Sequence, residues 1–320
     1  MSEIKKAPIS ELFNLKGIPS TVTMTVFPEG NPYIPTQNSN YVFNKDVVRS
    51  IRAFLISPND DALYITGPTG SGKTSAVMEM CARLNWPVQS ITAHGQMEMA
   101  DLIGHHALVG GSEGESPTMQ FQYGPLPRAM KLGHVLLVNE IDLIDPAELS
   151  GLNDVLEGRP LVITSNGGEV VKPHPMFRVI VTGNSAGQGD ATGLYQGVQS
   201  QNIAAMDRYR FMEVNYPPKE VEAEIIKKVA PAIPDVLRLK MVDVANKIRQ
   251  LFIGDDNSAE TELSVTMSTR TLVRWAKLTQ QYHGADNPIL LALESALLLR
   301  TSKVEQEAIL RISKDILGIE

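Results

Sequence analysis

Cysteine is nearly missing from this chain: 320 residues hold one, Cys81, which excludes an intrachain disulfide framework and leaves the fold to its core. An excess of basic residues is missing too. With 29 Lys and Arg against 36 Asp and Glu, the formal net charge is −7, which argues against a chain-wide electrostatic footprint for nucleic acid or an anionic membrane, though not against a local basic patch. There is no apolar run of about 18 residues to span a bilayer, and the opening MSEIKKAPIS has no apolar core of the kind a secretion signal needs. These absences predict a cytoplasmic protein whose thiol is reduced and buried. Hydrophobic residues at 43% and charged residues at 20% suffice for a sizeable core, in one large domain with an appendage or in two domains.

What is there centres on Ala62 to Thr74, ALYITGPTGSGKT. A short apolar run breaks into Gly67-Pro68-Thr69-Gly70-Ser71-Gly72-Lys73-Thr74, and a helix-compatible stretch from Ser75 to Leu84 follows. Strand, glycine-rich loop and helix in that order make a polyphosphate cradle. The glycines let successive backbone N–H groups turn inward, and the helix N-terminus adds partial positive charge. Lys73 is placed to reach the β- and γ-phosphates and the Thr74 hydroxyl to ligate Mg²⁺, so ATP with Mg²⁺ is the expected cofactor pair.

Four further apolar runs read as strands, at Val88–Thr92, Val135–Val138, Val179–Thr182 and Phe211–Val214, with helix-like stretches between them. That alternation predicts an α/β fold with a five-stranded parallel sheet covered by helices on both faces. Two inserts interrupt it. Gly110 to Gln122 is rich in Gly, Ser and Glu, and Leu161 to Val171 carries Asn166-Gly167, a hairpin-turn signal between alternating apolar residues. Residues 1–44, rich in Pro, Asn, Thr and Ser, read as an accessory arm with one strand within Thr21–Phe27. After Tyr216-Pro217-Pro218 only helical spacing remains, at Lys219–Val229, Pro234–Phe252, Thr269–Tyr282, Pro288–Arg300 and Val304–Ile316. The expected divisions are therefore 1–44, 45–216 and 217–320, the last an all-α lid.

The run His134 to Asp142, HVLLVNEID, is an apolar strand ending in Asn139-Glu140. A nucleotide hydrolase of this kind needs an acid there to accept from Mg²⁺-bound water and a second to polarise the attacking water. Glu140 stands at the second position. Asn139, at the first, is neutral, and its NH₂ cannot accept from a metal-bound water, which predicts weaker metal binding. Asn184 ends the next strand, where it could bond the γ-phosphate or the water beside it, although Gly-Asn is also an ordinary turn. Arg208, in MDRYR, either pairs with Asp207 on the surface or serves a neighbouring subunit as a charge-stabilising finger. The pair His105-His106 invites a metal reading, but adjacent residues of a strand or helix point apart, and a structural role is preferred. Trp86, Trp275 and Phe252 are expected to fill cores.

The stretches NYVFNKDVVRSI, ITGPTGSGKT, DLIGHHALV, VKPHPMFRVIVTGNSAGQGDATGLYQGVQSQNIAAMDRYRF and VTMSTRTLVRWA resemble the MoxR group of AAA+ ATPases, and within it the CobS family, the ATPase subunits of aerobic cobaltochelatase. The resemblance implies an AAA+ P-loop core followed by a helical lid. It implies Gly67 to Thr74 as the nucleotide contacts, Thr74 and Asn139 on the metal side, Glu140 as the hydrolytic glutamate, Asn184 as first sensor, Arg208 as arginine finger and Arg270, in Ser268-Thr269-Arg270, as second sensor. Asn139 departs from the family, which has Asp. The two inserts resemble pore-facing elements. A ring, usually a hexamer of the chain with itself, is implied, together with a von Willebrand A-domain (CobT-like) partner and a large chelatase subunit that would perform the metal insertion. Two other readings stand beside this one. A nucleotide-gated scaffold would follow if Asn139 makes hydrolysis slow. A nucleic-acid motor is less favoured, since only Lys172, His174 and Arg178 are basic near the second insert and no aromatic platform is interleaved with them.

Overall fold

A computed structural model describes residues 5–110, 116–189, 197–253 and 263–319. It divides into two compact units, one of residues 1–37, 45–67 and 73–214, the other of residues 38–44, 68–72 and 215–320. In the first unit a ribbon of β1 (Lys5–Pro8) and β2 (Thr23–Val26) pairs antiparallel. The strand expected within Thr21–Phe27 thus finds its partner upstream, and Ile9, Phe13 and Met24 are buried around it.

Along the chain follow β3 (Ala62–Thr66), β4 (Val88–Thr92), β5 (Gly104–Val109), β6 (Thr118–Tyr123), β7 (Val135–Asn139), β8 (Leu161–Ile163), β9 (Glu169–Val171), β10 (Arg178–Thr182) and β11 (Tyr209–Glu213). Five of these make one all-parallel sheet in the order β11-β3-β10-β7-β4. Strands β7 and β10 are buried at every position. Their alternate residues Leu136, Val138, Val179 and Val181 join a core that includes Leu126, Ala129 and Met130 of the helix Pro125–Leu132. The intervening Val135, Leu137 and Ile180 are buried as well, so both faces are covered and the strands read as continuous apolar runs. Cys81, on the helix Lys73–Leu84, has no exposed surface, and burial pushes its thiol up to about 12.

The register decides where chemistry can gather. Thr182 lies beside Ile65, Val181 beside Val138 and Thr92 beside Asn139, so β3, β7 and β10 end together, and the residues that follow them emerge along one edge of the sheet. Strand β11 starts two residues earlier than its apolar run, because Tyr209 already pairs with Ala62.

The first insert is a hairpin, β5 against β6, with His105 opposite Gln122 and His106 opposite Phe121. Reading Gly110 to Gln122 as a Gly-, Ser- and Glu-rich segment missed the strand Thr118–Tyr123. Residues 111–115 lie outside the described residues. Both histidines are exposed, and the His106 ring meets Phe121 edge-on at 5.3 Å. The second insert is the hairpin β8–β9, closed by a short 3₁₀ turn over Thr164–Asn166 and by Gly167 and Gly168 at φ 65° and 76°. Leu161, Ile163 and Val171 point into the core while Val162 and Val170 are more than half exposed, the alternation a half-buried ribbon requires.

The second unit contains the helices Lys219–Val229, Asp235–Ile253, Thr269–Gln281, Pro288–Ala296 and Lys303–Leu317. They pack around Trp275, whose indole N–H donates to the Ile289 carbonyl at 2.8 Å. The helix expected to reach Arg300 stops at Ala296. Leu297 leaves the helical region at φ −136°, and the turn Leu298–Arg300 follows. Leu297 and Leu298 are both buried at this break. Trp86 and Trp275 are buried as expected. Phe252 is only half-buried, because Leu251 takes the inward position in the last turn of its helix.

Candidate active site

Strand β3 delivers the glycine-rich loop, and the helix Lys73–Leu84 begins at its end. Gly67 has φ 139°, and a Cβ there would lie 2.3 Å from the Val214 carbonyl oxygen, so only glycine fits. Gly72, at φ 101°, has open space where a Cβ would point. Residues 68–72, the tip of the loop, belong to the second compact unit. There the Tyr216 hydroxyl donates to the Thr69 carbonyl at 3.0 Å, and a Cβ on Gly70 would meet Ser268 at 2.6 Å. Lys73 is buried, its Nζ donating to the Gly67 carbonyl at 2.7 Å and to Asn184 Oδ1 at 3.0 Å. Ser71 Oγ is buried with no hydrogen-bond partner among the described residues. Within the first unit, an ammonium at the N-terminus of the helix Lys73–Leu84 is a donor set that fits a phosphate group.

At the end of β7, Asn139 is 8% exposed, so every polar atom of its amide needs a partner. Its Oδ1 accepts from Thr74 Oγ1 at 2.6 Å and from Thr182 Oγ1 at 3.4 Å. Its Nδ2 donates to Ser90 Oγ at 3.2 Å and to the Ile91 carbonyl at 3.4 Å. The sequence expectation placed the NH₂ toward the metal. The fold turns it the other way, because β4 offers acceptors on the far side. Thr74 Oγ1 and Asn139 Oδ1 are thereby adjacent hard oxygens, the ligand type Mg²⁺ takes.

Glu140 follows in the left-handed region, at φ 56° and ψ 41°, a conformation uncommon outside glycine that is held where surroundings enforce it. Its Oε2 accepts from Asn184 Nδ2 at 2.9 Å. One amide therefore joins the Lys73 ammonium to the Glu140 carboxylate. Behind it, Asp142 is fully buried, and its Oδ2 accepts the backbone N–H of Asn184 at 2.7 Å and of Ser185 at 3.1 Å.

Arg208 does not pair with Asp207, the partner that spacing suggested. Its Nε donates to Glu157 Oε1 at 2.6 Å and its Nη1 to the Ala204 carbonyl at 2.5 Å, while Glu157 also pairs with Arg159 at 2.5 Å. Arg270 is exposed in the first turn of the helix Thr269–Gln281, which Ser268 caps by accepting from the Thr271 N–H at 3.2 Å. A buried ion pair steadies that entry. Arg249 donates through Nη1 and Nη2 to Glu222 at 2.7 and 2.8 Å and through Nε to the Met267 carbonyl, while Thr269 Oγ1 donates to Glu222 at 2.6 Å. Of the basic residues near the second hairpin, Arg178 is buried and spent on the carbonyls of Leu55, Pro175 and Phe177.

A family model described as AAA domain (dynein-related subfamily) matches residues 62–199, and one described as CbbQ/NirQ/NorQ C-terminal matches residues 222–316. An aerobic cobaltochelatase subunit CobS from Sinorhizobium sp is 30% identical over 309 residues, covering 95% of this chain and 89% of that protein. The chain belongs to the AAA+ ATPases of the MoxR/CobS type. Other relatives of this AAA+ ATPase include an uncharacterised protein of Staphylococcus aureus, 30% identical over 219 residues and covering 68% of this chain and 72% of that protein. Among solved structures, a Thermotoga maritima RuvB variant superposes with a TM-score of 0.50 at 13% identity, covering 91% of this chain and 87% of that one, a likeness of fold alone.

Three residues that shape the site of this AAA+ ATPase escaped sequence reasoning. Ser90, which orients Asn139, sits on a neighbouring strand with no motif around it. Glu157, which holds Arg208, lies 51 positions away in sequence. Asp142 was visible as the last residue of HVLLVNEID, but nothing in the spacing shows that its carboxylate meets the backbone beyond β10. Within GQGDATGLYQG, the most specific stretch of the resemblance, residues 190–196 lie outside the described residues.

Proposed function

We propose that this AAA+ ATPase works as a ring, of six copies by family precedent, that couples Mg²⁺-dependent ATP hydrolysis to the remodelling of a partner complex, reached through a CobT-like von Willebrand A-domain protein. Residues 1–44 form an accessory arm in this reading, 45–216 the nucleotide-binding domain and 217–320 the lid. The CobS relative favours a cobaltochelatase complex as the client, with a separate large subunit inserting the metal. Gly67, Pro68, Thr69, Gly70, Ser71 and Gly72 wrap the phosphates, Lys73 neutralises them, and Thr74 and Asn139 hold the metal side. Bound ATP and Mg²⁺ supply the scissile anhydride and its charge neutralisation. Glu140 orients and deprotonates the attacking water, while Asn184 fixes the Glu140 carboxylate relative to Lys73. Arg208 leaves Glu157 to face the nucleotide of the adjoining protomer, and Arg270 reports on the γ-phosphate from the lid.

The observation that carries this reading is the bonded chain from Lys73 through Asn184 to Glu140, which joins phosphate charge to the hydrolytic base at the end of three adjacent strands. Steady-state phosphate release tests it. Glu140→Gln is expected to lower turnover about a hundredfold or more, the size of a lost general base, with nucleotide still bound. Ring formation with ATP and no phosphate release in the parent protein would instead support the scaffold reading, which rests on the neutral Asn139. A nucleic-acid motor is disfavoured by the commitment of Arg178 to backbone carbonyls, and DNA-stimulated turnover would revive it.

A further inference from the structure

We infer that Asp142 is a positioning residue for hydrolysis: its buried carboxylate sets the backbone turn after β10 and so aims Asn184 between Lys73 and Glu140. The inference deepens the proposed hydrolytic reading and rests on it. Asn184 can bond Lys73 and Glu140 together only if its Cα sits where one short amide spans them, at 3.0 Å on the oxygen side and 2.9 Å on the nitrogen side. The strand-to-strand bonding ends with the Gly183 N–H, which donates to the Ile65 carbonyl at 3.1 Å, so it reaches neither Asn184 nor Ser185. Asp142 supplies what the ladder no longer does. A single oxygen, Oδ2, accepts both the Asn184 and the Ser185 N–H, at 2.7 and 3.1 Å, and bonds to an ionised acceptor are about twice as strong as neutral ones.

The surroundings keep this carboxylate from drifting. Asp142 has no exposed surface, and its own carbonyl accepts from the Gln199 N–H at 2.8 Å, so its backbone is held from a third segment. Gly183 lies between the strand and the gripped residues. A side chain there would lie 2.3 Å from the Tyr64 hydroxyl and 3.1 Å from Asp142 Oδ2, which is the close approach that lets the carboxylate reach the following N–H groups. Since Asp142 stands two residues after Glu140, one short segment carries the base and also grips the residue that orients it. A shift of either is felt by the other.

The test is a double-mutant cycle on purified full-length protein, with Asp142→Asn, Asn184→Ala and the pair, measuring kcat, KM for ATP and the affinity for a fluorescent ATP analogue. Asp142→Asn is expected to lower kcat about tenfold, the equivalent of one weakened charge-assisted bond, with KM and analogue affinity within about twofold. Combined with Asn184→Ala it should cost nothing further, because its effect passes through Asn184. Additive losses in the pair, or a loss confined to KM, would overturn the inference. A second measurement needs no change at Asp142: by hydrogen exchange, the backbone amides of Asn184 and Ser185 should stay protected in Asn184→Ala, being held by the carboxylate and not by the missing side chain. Exchange at the rate of an open loop overturns the inference even if Asp142→Asn does not fold. If Glu140→Gln and Asn184→Ala both leave turnover intact, the hydrolytic reading fails and takes this inference with it. If both abolish turnover while Asp142→Asn matches the parent, only the inference falls.

Discussion

Asn139 shows how one side chain can mislead in sequence and be explained by its neighbours. The family resemblance said only that a neutral residue stands where an acid is expected. The fold adds that its NH₂ faces Ser90 and the Ile91 carbonyl, with its oxygen toward Thr74. An aspartate would set an anionic oxygen against that carbonyl at a site 8% exposed. Asn139→Asp is therefore expected to tighten Mg²⁺, lowering its half-saturating concentration in the ATPase assay, and to destabilise the metal-free protein by about 1–3 kcal/mol, the cost of a buried polar group without its partner. Thermal melts without Mg²⁺ check the second half, and a variant as stable as its parent would mean that the amide's two donated bonds contribute nothing. Lys73, Thr74, Glu140 and Asn184 were legible as candidates because a phosphate loop and strand-end polar residues follow a spacing rule. Ser90 and Glu157 were not, since a partner chosen by strand register or by a turn of the chain leaves no local mark.

Elements were legible where period and punctuation agree. The helix Lys303–Leu317 is a case with a measurable consequence. Ser302 and Glu305 form a reciprocal capping box, and Glu305 also accepts from the Ser264 N–H and hydroxyl, each at 2.7 Å. Those bonds, the Ser264 hydroxyl first, hold the Glu305 carboxyl down from 4.5 to about 2. A folded-state value below the unfolded one stabilises above the unfolded value, and the contribution is lost as pH falls toward the folded value. The stability gap between the parent and Glu305→Gln should accordingly be constant above about pH 4.5 and close between there and about pH 2, read by chemical denaturation at each pH. A gap that persists at pH 2 would show that packing and not ionisation carries the effect. The hairpin β5–β6 was missed for an equally physical reason: its Gly-, Ser- and Glu-rich connection masked the alternation of the flanking strands. Its base is tied to the second hairpin, because Tyr123 and Lys131 both donate to Glu169 of β9, at 2.7 and 2.5 Å. That arrangement depends on residues brought together from three separate segments.

At the scale of the whole molecule, the finger reading makes a demand that a single chain cannot meet. Arg208 is engaged within its own protomer by Glu157 and the Ala204 carbonyl, so activity through it requires exchange of that ion pair for a neighbour's phosphate. Subunit mixing reads this directly. Lys73→Ala and Arg208→Ala proteins should each be inactive, yet a mixture should regain part of the turnover, because an intact phosphate loop can then face an intact finger. Inactivity at every mixing ratio, or a parent that stays monomeric with ATP and Mg²⁺, would remove the ring from the account. The sequence by itself determined the alternation of strands and helices, the phosphate loop, the helical C-terminal part and the family, because these depend on local period, glycine conformation and short spacings. The tertiary structure alone decided which way the Asn139 amide faces, that Asp142 grips the turn bearing Asn184, and that Glu157 holds Arg208. Each of those is a hydrogen bond between segments about 40 or more residues apart, and burial, which forces such polar groups to find partners, exists only once the sheet has assembled.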